Sequence, residues 1–165
     1  MSETAPDLDR HECWMRLALE LAAAAGDAGE VPVGAVVVDE QDQAIAQAHN
    51  RREREGDPTA HAEVLALRAA GMARGRWNLL GCTLYVTLEP CPMCAGAIIL
   101  SRVSLLVYGT SDPKTGAVRS VLNLPDSAAS NHRLPVLPGI LADPCRHQLQ
   151  AWVAQRRRGG RRSVP

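Results

Sequence analysis

Thr83-Leu84-Tyr85-Val86-Thr87-Leu88-Glu89-Pro90-Cys91-Pro92-Met93-Cys94-Ala95-Gly96 carries two structural instructions in succession. Thr83–Leu88 is rich in β-branched and aromatic residues and reads as a strand. Pro92 follows Cys91 directly and suits the first position of a helix, where its missing N–H is an orphan in any case. Cys91 thereby becomes the cap and Cys94 lies one turn on, so both sulfurs can reach a single ion at the helix start. The positive end of the helix dipole favours their thiolate forms. The helix is expected over residues 92–102, and Leu105–Tyr108 reads as a further strand. Strands alternating with helices imply an α/β layer architecture, with parallel pairing in part of the sheet.

Upstream, Thr59-Ala60-His61-Ala62-Glu63 supplies what the cysteine pair lacks. A structural zinc site closes itself with four protein ligands, whereas a catalytic one uses three and leaves a position for water. His61, Cys91 and Cys94, with the Glu63 carboxylate beside them, therefore read as a water-activating site for one zinc ion per chain. Residues two apart do not share a face of a long regular helix. Near a helix start both can reach the ion's surroundings, His61 as a ligand and Glu63 through the water. The plain alternative makes His61 and Glu63 surface residues and packs the cysteines in a core. Both halves of the pattern, in order and with their flanks, weigh against it, because each half alone is weak. Glu89, before Pro90 at a strand end, is expected to accept hydrogen bonds from the backbone or from groups behind the ligands.

Working outward, Trp14, Leu17, Ala18, Leu21 and Ala25 recur at helical spacing over residues 9–26, with Gly26 as a stop. Val33–Val38 is a near-continuous apolar run expected as a buried strand, and Ala44–Ala48 should return beside it after the polar Asp39–Asp42 turn. Residues 59–72 read as a helix, with Gly71 near its end. Asp112-Pro113-Lys114-Thr115-Gly116 reads as a turn. A weak strand near Leu134–Leu137 and a terminal helix over residues 142–158 complete the chain.

At 165 residues the sequence reads as a single domain over 1–165, able to bury about 70% of its unfolded surface. An acidic stub over residues 1–8 and a basic tail over residues 156–165 flank it. No apolar run approaches the ~20 residues of a membrane span, and the polar, acidic Met1–Arg10 is expected to be neither signal peptide nor anchor. Cys13, Cys82 and Cys145 are expected as buried or half-buried small hydrophobes rather than a disulfide framework. Thiolate ligands persist best in a reducing cytosol, so a cytoplasmic location is expected. The formal net charge is zero, which does not suggest a nucleic-acid binder. Its distribution is more telling, with acids gathered at the start and Arg156, Arg157, Arg158, Arg161 and Arg162 at the end, the last two after a Gly159-Gly160 hinge. A basic terminal run is by itself ordinarily a solubilising tail. With aromatics scarce and no Phe, a broad stacking platform for single-stranded bases is not expected.

The His-x-Glu and Pro-Cys-x-x-Cys halves are the known signature of the zinc nucleobase deaminases. Alone they place the chain among cytidine, cytosine, guanine and adenosine deaminases. From Gly29-Glu30-Val31-Pro32-Val33-Gly34-Ala35 onward the sequence resembles the bacterial tRNA-specific adenosine deaminase family. The resemblance runs through His49-Asn50-Arg51, residues 57–63, residues 83–97, Asp112–Gly116 and Asn131-His132-Arg133. It implies a cytidine-deaminase-like fold, a three-layer α/β/α arrangement around a mixed five-stranded sheet. It also implies zinc-dependent hydrolysis of adenosine to inosine at the wobble position of a tRNA, an arginine tRNA, with release of ammonia and Glu63 as the proton shuttle. Asn50 should then hydrogen-bond the target base or ribose, and Val33 and the backbone around Ala62 and Pro90 should line the pocket. Read alone, Asn50 could simply stop the strand at Ala48. The partner implied is a tRNA anticodon stem-loop, gripped in part by Arg156, Arg157 and Arg158, and the assembly implied is a homodimer. Gln150-Ala151-Trp152-Val153 departs from the family, whose last helix commonly carries an aromatic pair. Two rival readings are a deaminase of a free base or nucleoside and a non-catalytic RNA-binding subunit. Glu63 argues against the second.

Overall fold

A computed structural model describes residues 7–161. Among them five strands form one mixed sheet, ordered β2-β1-β3-β4-β5. The strands are β1 (Gly34–Val38), β2 (Ala44–His49), β3 (Thr83–Leu88), β4 (Leu105–Thr110) and β5 (Val136–Pro138). β1 pairs antiparallel with both β2 and β3, whereas β3–β4 and β4–β5 are parallel. The helices are α1 (Leu8–Asp27), α2 (Arg52–Glu55), α3 (Ala62–Arg74), α4 (Pro92–Ser101) and α5 (Ala142–Arg161).

The pleat divides each strand between two apolar layers. Val36, Val38, Tyr85 and Val107 face Met15 and Ala18 of α1 and Cys145 of α5. Ala35, Val37, Leu84, Val86 and Leu106 face the α3 and α4 layer, including Ala66, Ala70, Ala95 and Ile98. The sheet is covered on both sides, which is why its strands read as apolar runs. The three-layer α/β/α architecture is as expected. Fully burying each larger aliphatic side chain contributes roughly 1.5–3 kcal/mol.

Small residues set the closest approach. A Cβ at Gly34 would overlap the Ala18 carbonyl of α1 and lie 2.7 Å from Ala22 N. The first strand can therefore lie against α1 only as glycine.

Several boundaries differ from the sequence expectations. Gly26 lies inside α1, which ends one residue later with Ala28 as its cap. α3 begins at Ala62 and ends at Arg74, followed by Gly75, whose φ of 63° makes it the left-handed cap; Gly71 is internal. The strand expected at 134–137 is β5, shifted to Val136–Pro138. Gly159 and Gly160 continue α5 instead of forming a hinge, so residues 156–161 are helix and not a separate tail. Of the acidic stub, Asp7 caps α1 through its side chain, accepting from Arg10 N at 3.2 Å, and Leu8 opens the helix. Residues 1–6 and Arg162 lie outside the described residues. Cys82 and Cys145 are buried as expected, but Cys13 is exposed on α1.

Candidate active site

His61 is the N-cap of α3 and Cys91 the N-cap of α4. Good caps are Ser, Thr, Asp or Asn, whose side chains bond to the helix amides. Neither residue here makes such a bond. Their side chains meet each other instead: His61 Nδ1 lies 3.7 Å from Cys91 Sγ and 3.4 Å from Cys94 Sγ. One donor atom from each of the three lies within 4.8 Å of the others, the one such trio among the described residues. Two helix N-termini converge on this point, and their partial positive charge favours thiolate.

The proton balance of the cluster fits a metal. The Cys94 thiol hydrogen-bonds to Cys91 and draws the Cys91 pKa down to about 4, against the effect of burial. Cys94 is pushed correspondingly high by the same bond and by burial. The two sulfurs thus share one proton, which a thiophilic dication would replace. His61 is raised by its bond to Cys91. Two sulfurs and one imidazole are a donor set suited to zinc, and among the described residues no fourth His, Cys, Asp or Glu joins the group.

Glu63, one residue into α3, is 4% exposed. Burial raises its carboxyl to about 7, while its own backbone and the nearby His61 oppose the shift. Its side chain also hydrogen-bonds to Cys94, so it stands against the cluster without belonging to it.

His61, Cys91 and the Glu63 carboxyl border a cavity of about 210 Å3, and the buried Cys94 lies outside its lining. Val31, Val33, Asn50 and Arg52 form one wall, and His61, Ala62 and Glu63 another. Leu88, Glu89 and Cys91 close the β3 side, and Asp112 and Thr115 a loop side. Asn50 follows β2 directly, and it also lines the cavity. Its Nδ2 donates to Val31 O at 3.3 Å and its Oδ1 accepts from Arg52 N at 3.4 Å. Of the expected pocket residues, Val33, Ala62 and Asn50 are in the lining. Pro90 is not: it is buried behind it, with its carbonyl accepting from Ala117 N at 2.9 Å. Arg156, Arg157 and Arg158, on α5, are not among the residues that line this cavity.

Two buried carboxylates brace the walls. Glu30 accepts from Glu53 N and Arg54 N at 3.1 and 2.7 Å, tying down α2 and with it Arg52. Glu89 is 1% exposed and accepts from four backbone amides and the Ser120 hydroxyl. Burial alone would raise it, but these donors win and hold it below the usual carboxylate range. Glu89 is thereby fully engaged within the protein, as expected. Sequence reasoning missed α2, Val31, Arg52 and Leu88. The signal for α2 was the Arg51-Arg52-Glu53-Arg54-Glu55-Gly56 run, closed by a glycine at φ 58°.

Residues 8–110 match the cytidine and deoxycytidylate deaminase zinc-binding region. The chain belongs to the cytidine and deoxycytidylate deaminase family. Within that deaminase family it is 49% identical over 146 residues to the tRNA-specific adenosine deaminase of Haemophilus influenzae, covering 88% of this chain and 84% of that one. It is 45% identical over 151 residues to the tRNA-specific adenosine deaminase of Bacillus subtilis, covering 92% and 93%. A solved structure from studies of A-to-I editing by tRNA:A34 deaminases superposes with a TM-score of 0.80 at 42% identity, over 82% of this chain and 98% of that one. Guanine deaminase from Nitrosomonas europaea shares the fold at a TM-score of 0.73 and 28% identity, over 92% and 94%.

Proposed function

We propose that the chain hydrolyses adenosine to inosine at the wobble position of a tRNA anticodon loop, with an arginine tRNA as substrate and ammonia as the second product. One observation carries the reading: two members of a three-donor metal cluster, His61 and Cys91, share the wall of a cavity with the buried Glu63 carboxyl, and that cavity has room for a single base. His61, Cys91 and Cys94 would hold one zinc ion per chain, which when bound supplies a Lewis acid that brings the pKa of water to about 7.

Glu63 handles the protons. It takes one proton from the water that attacks C6 of adenine and delivers it to N1, then carries the second from the new C6 hydroxyl to the amine, which departs as ammonia. Its burial suits a group that must serve as base and then as acid. The Asn50 amide, held at the opposite wall, is a natural partner for adenine. Val33 and Ala62 flank the ring. An anticodon loop presents unpaired bases at low cost, so one can leave its stack and enter.

A second groove of about 600 Å3 supports a path for the RNA backbone. It shares Leu88 and Asp112 with the base cavity and is bordered by Lys114, Arg146 and Arg157. Arg156 instead lies 4.6 Å over the Trp152 ring, away from this groove. On the outer side of α3 and α4, Met72, Trp77 and Leu100 are exposed at 83%, 67% and 65% around an apolar depression of about 710 Å3. Patches of this kind mark association sites, and we assign this one to a homodimer. No helix among the described residues is long and apolar enough to cross a membrane; the cytoplasm, where thiolates stay reduced, is the proposed location.

The test is incubation with total tRNA followed by sequencing for A-to-I change, with free guanine assayed in parallel. Conversion confined to wobble adenosines is the expected result. Turnover of free guanine without tRNA conversion would replace the reading by that of a free-purine deaminase, which the likeness to the guanine deaminase favours. Sedimentation of the same preparation should give twice the 17.7 kDa chain mass, and a single-chain mass would remove the dimer.

A further inference from the structure

Glu89 combines three properties that the deamination chemistry does not use. It is almost wholly buried, it lies two residues before the ligand Cys91, and both its oxygens are taken by one remote segment. Oε1 accepts from Val118 N, Arg119 N and Ser120 N at 3.2, 2.7 and 2.9 Å. Oε2 accepts from Asp112 N at 3.0 Å and from the Ser120 hydroxyl. An ionised carboxylate is an acceptor on both oxygens, and bonds of this kind are about twice as strong as neutral ones. The segment is shaped to close on it: a Cβ at Gly116 would stand 2.5 Å from the Glu89 carboxyl carbon and 2.5 Å from Asp112 O. Ala117 N adds a bond to Pro90 O at 2.9 Å. The same segment places Asp112 and Thr115 in the wall of the base cavity.

We propose that Glu89 is a positioning residue: its carboxylate clamps residues 112–120 to the junction between β3 and α4 that carries Cys91, and so fixes the loop wall against which the substrate is seated. The inference rests on the deaminase reading above. A glutamine cannot replace the carboxylate without loss. Its NH2 would face either the three amides on Oε1 or the Asp112 amide on Oε2. The second costs less, because the Ser120 hydroxyl can turn to accept, and it frees the end of the segment that lines the cavity.

The test is Glu89→Gln in the full chain, read by zinc content, amide hydrogen exchange and steady-state kinetics on an anticodon stem-loop. We expect retained zinc and exchange across residues 112–120 faster by about tenfold or more, with the central strands unchanged, the scale of one buried bond to a charged acceptor. KM should rise by about tenfold while kcat stays within about threefold, the pattern of lost seating rather than lost chemistry. Unchanged exchange would remove the clamp. A kcat loss of roughly 10²–10⁴ with unaltered KM would make Glu89 a proton carrier and overturn the proposal. Should Glu89→Gln fail to fold, Ser120→Ala deletes one donor and leaves the charge. It should move exchange and KM in the same direction by a smaller factor, and wild-type values for both would overturn the clamp. If the wild type converts no stem-loop, the deaminase reading falls, and the exchange comparison still decides the clamp.

Discussion

On the proposed reading Glu63 and the three candidate ligands divide their work, and substitutions should separate it. Glu63 touches the cluster but lies outside its donor set. Glu63→Ala is therefore expected to keep its metal and its fold while losing about 10⁴-fold in kcat, the upper end for one acid–base group, because it serves several transfers. Activity within tenfold of wild type would refute that role. Cys94→Ser is expected to do the opposite and lose the metal, since three ligands leave none to spare; elemental analysis reads the difference. For Asn50→Ala the expected cost on an adenosine-containing stem-loop is about 1–3 kcal/mol in kcat/KM, the scale of one base-reading contact. An unaltered kcat/KM in a folded variant would leave Asn50 only its bonds to Val31 and Arg52.

At the scale of elements, the two ligand-bearing helix starts depend on a strand that must press against α1. Gly34→Ala would drive a methyl into the Ala18 and Ala22 backbone, which no rotamer change relieves. We expect a loss above about 3 kcal/mol, in the range of overpacked cores, measured by denaturant unfolding. A loss below 1 kcal/mol would mean that α1 shifts freely. The elements legible in the sequence are those with a local cause. Pro92 and Cys91 marked the start of α4, and the apolar run at 33–38 marked a buried strand. The metal trio and Glu63 were legible because each lies within a short motif. What escaped depended on distant partners. α2 is a single turn held by Glu30 from more than twenty residues away. Leu88 reaches the cavity only because β3 ends there, and the 112–120 wall is shaped by a carboxylate on another element. Around Pro90 it is Glu89 and Cys91 that line the cavity while Pro90 itself is buried, because a motif identifies neighbours in sequence and not which of them turns its surface to the cavity.

For the whole molecule, zero net charge conceals a local cationic border on the groove beside the base cavity. Charge at Lys114 and Arg157 can follow a phosphate backbone without reading bases. Replacing both by alanine should flatten log K against log salt by about 1.4, at roughly 0.7 per single-strand phosphate, with kcat at saturating RNA nearly unchanged. Equal slopes would place the RNA elsewhere. The cavity described above has a further consequence for how such proteins diversify. Its candidate metal donors come from two helix starts rooted in the core, whereas its remaining walls come largely from the ends of β1, β2 and β3, from α2 and from the 112–120 loop. On the proposed reading, reactive machinery and substrate choice are thus written in separate parts of one gene. Insertions or exchanges in the walls can redirect the enzyme to a new base while leaving the hydrolytic apparatus intact. A guanine deaminase at 28% identity on the same fold is what that division of labour allows evolution to reach.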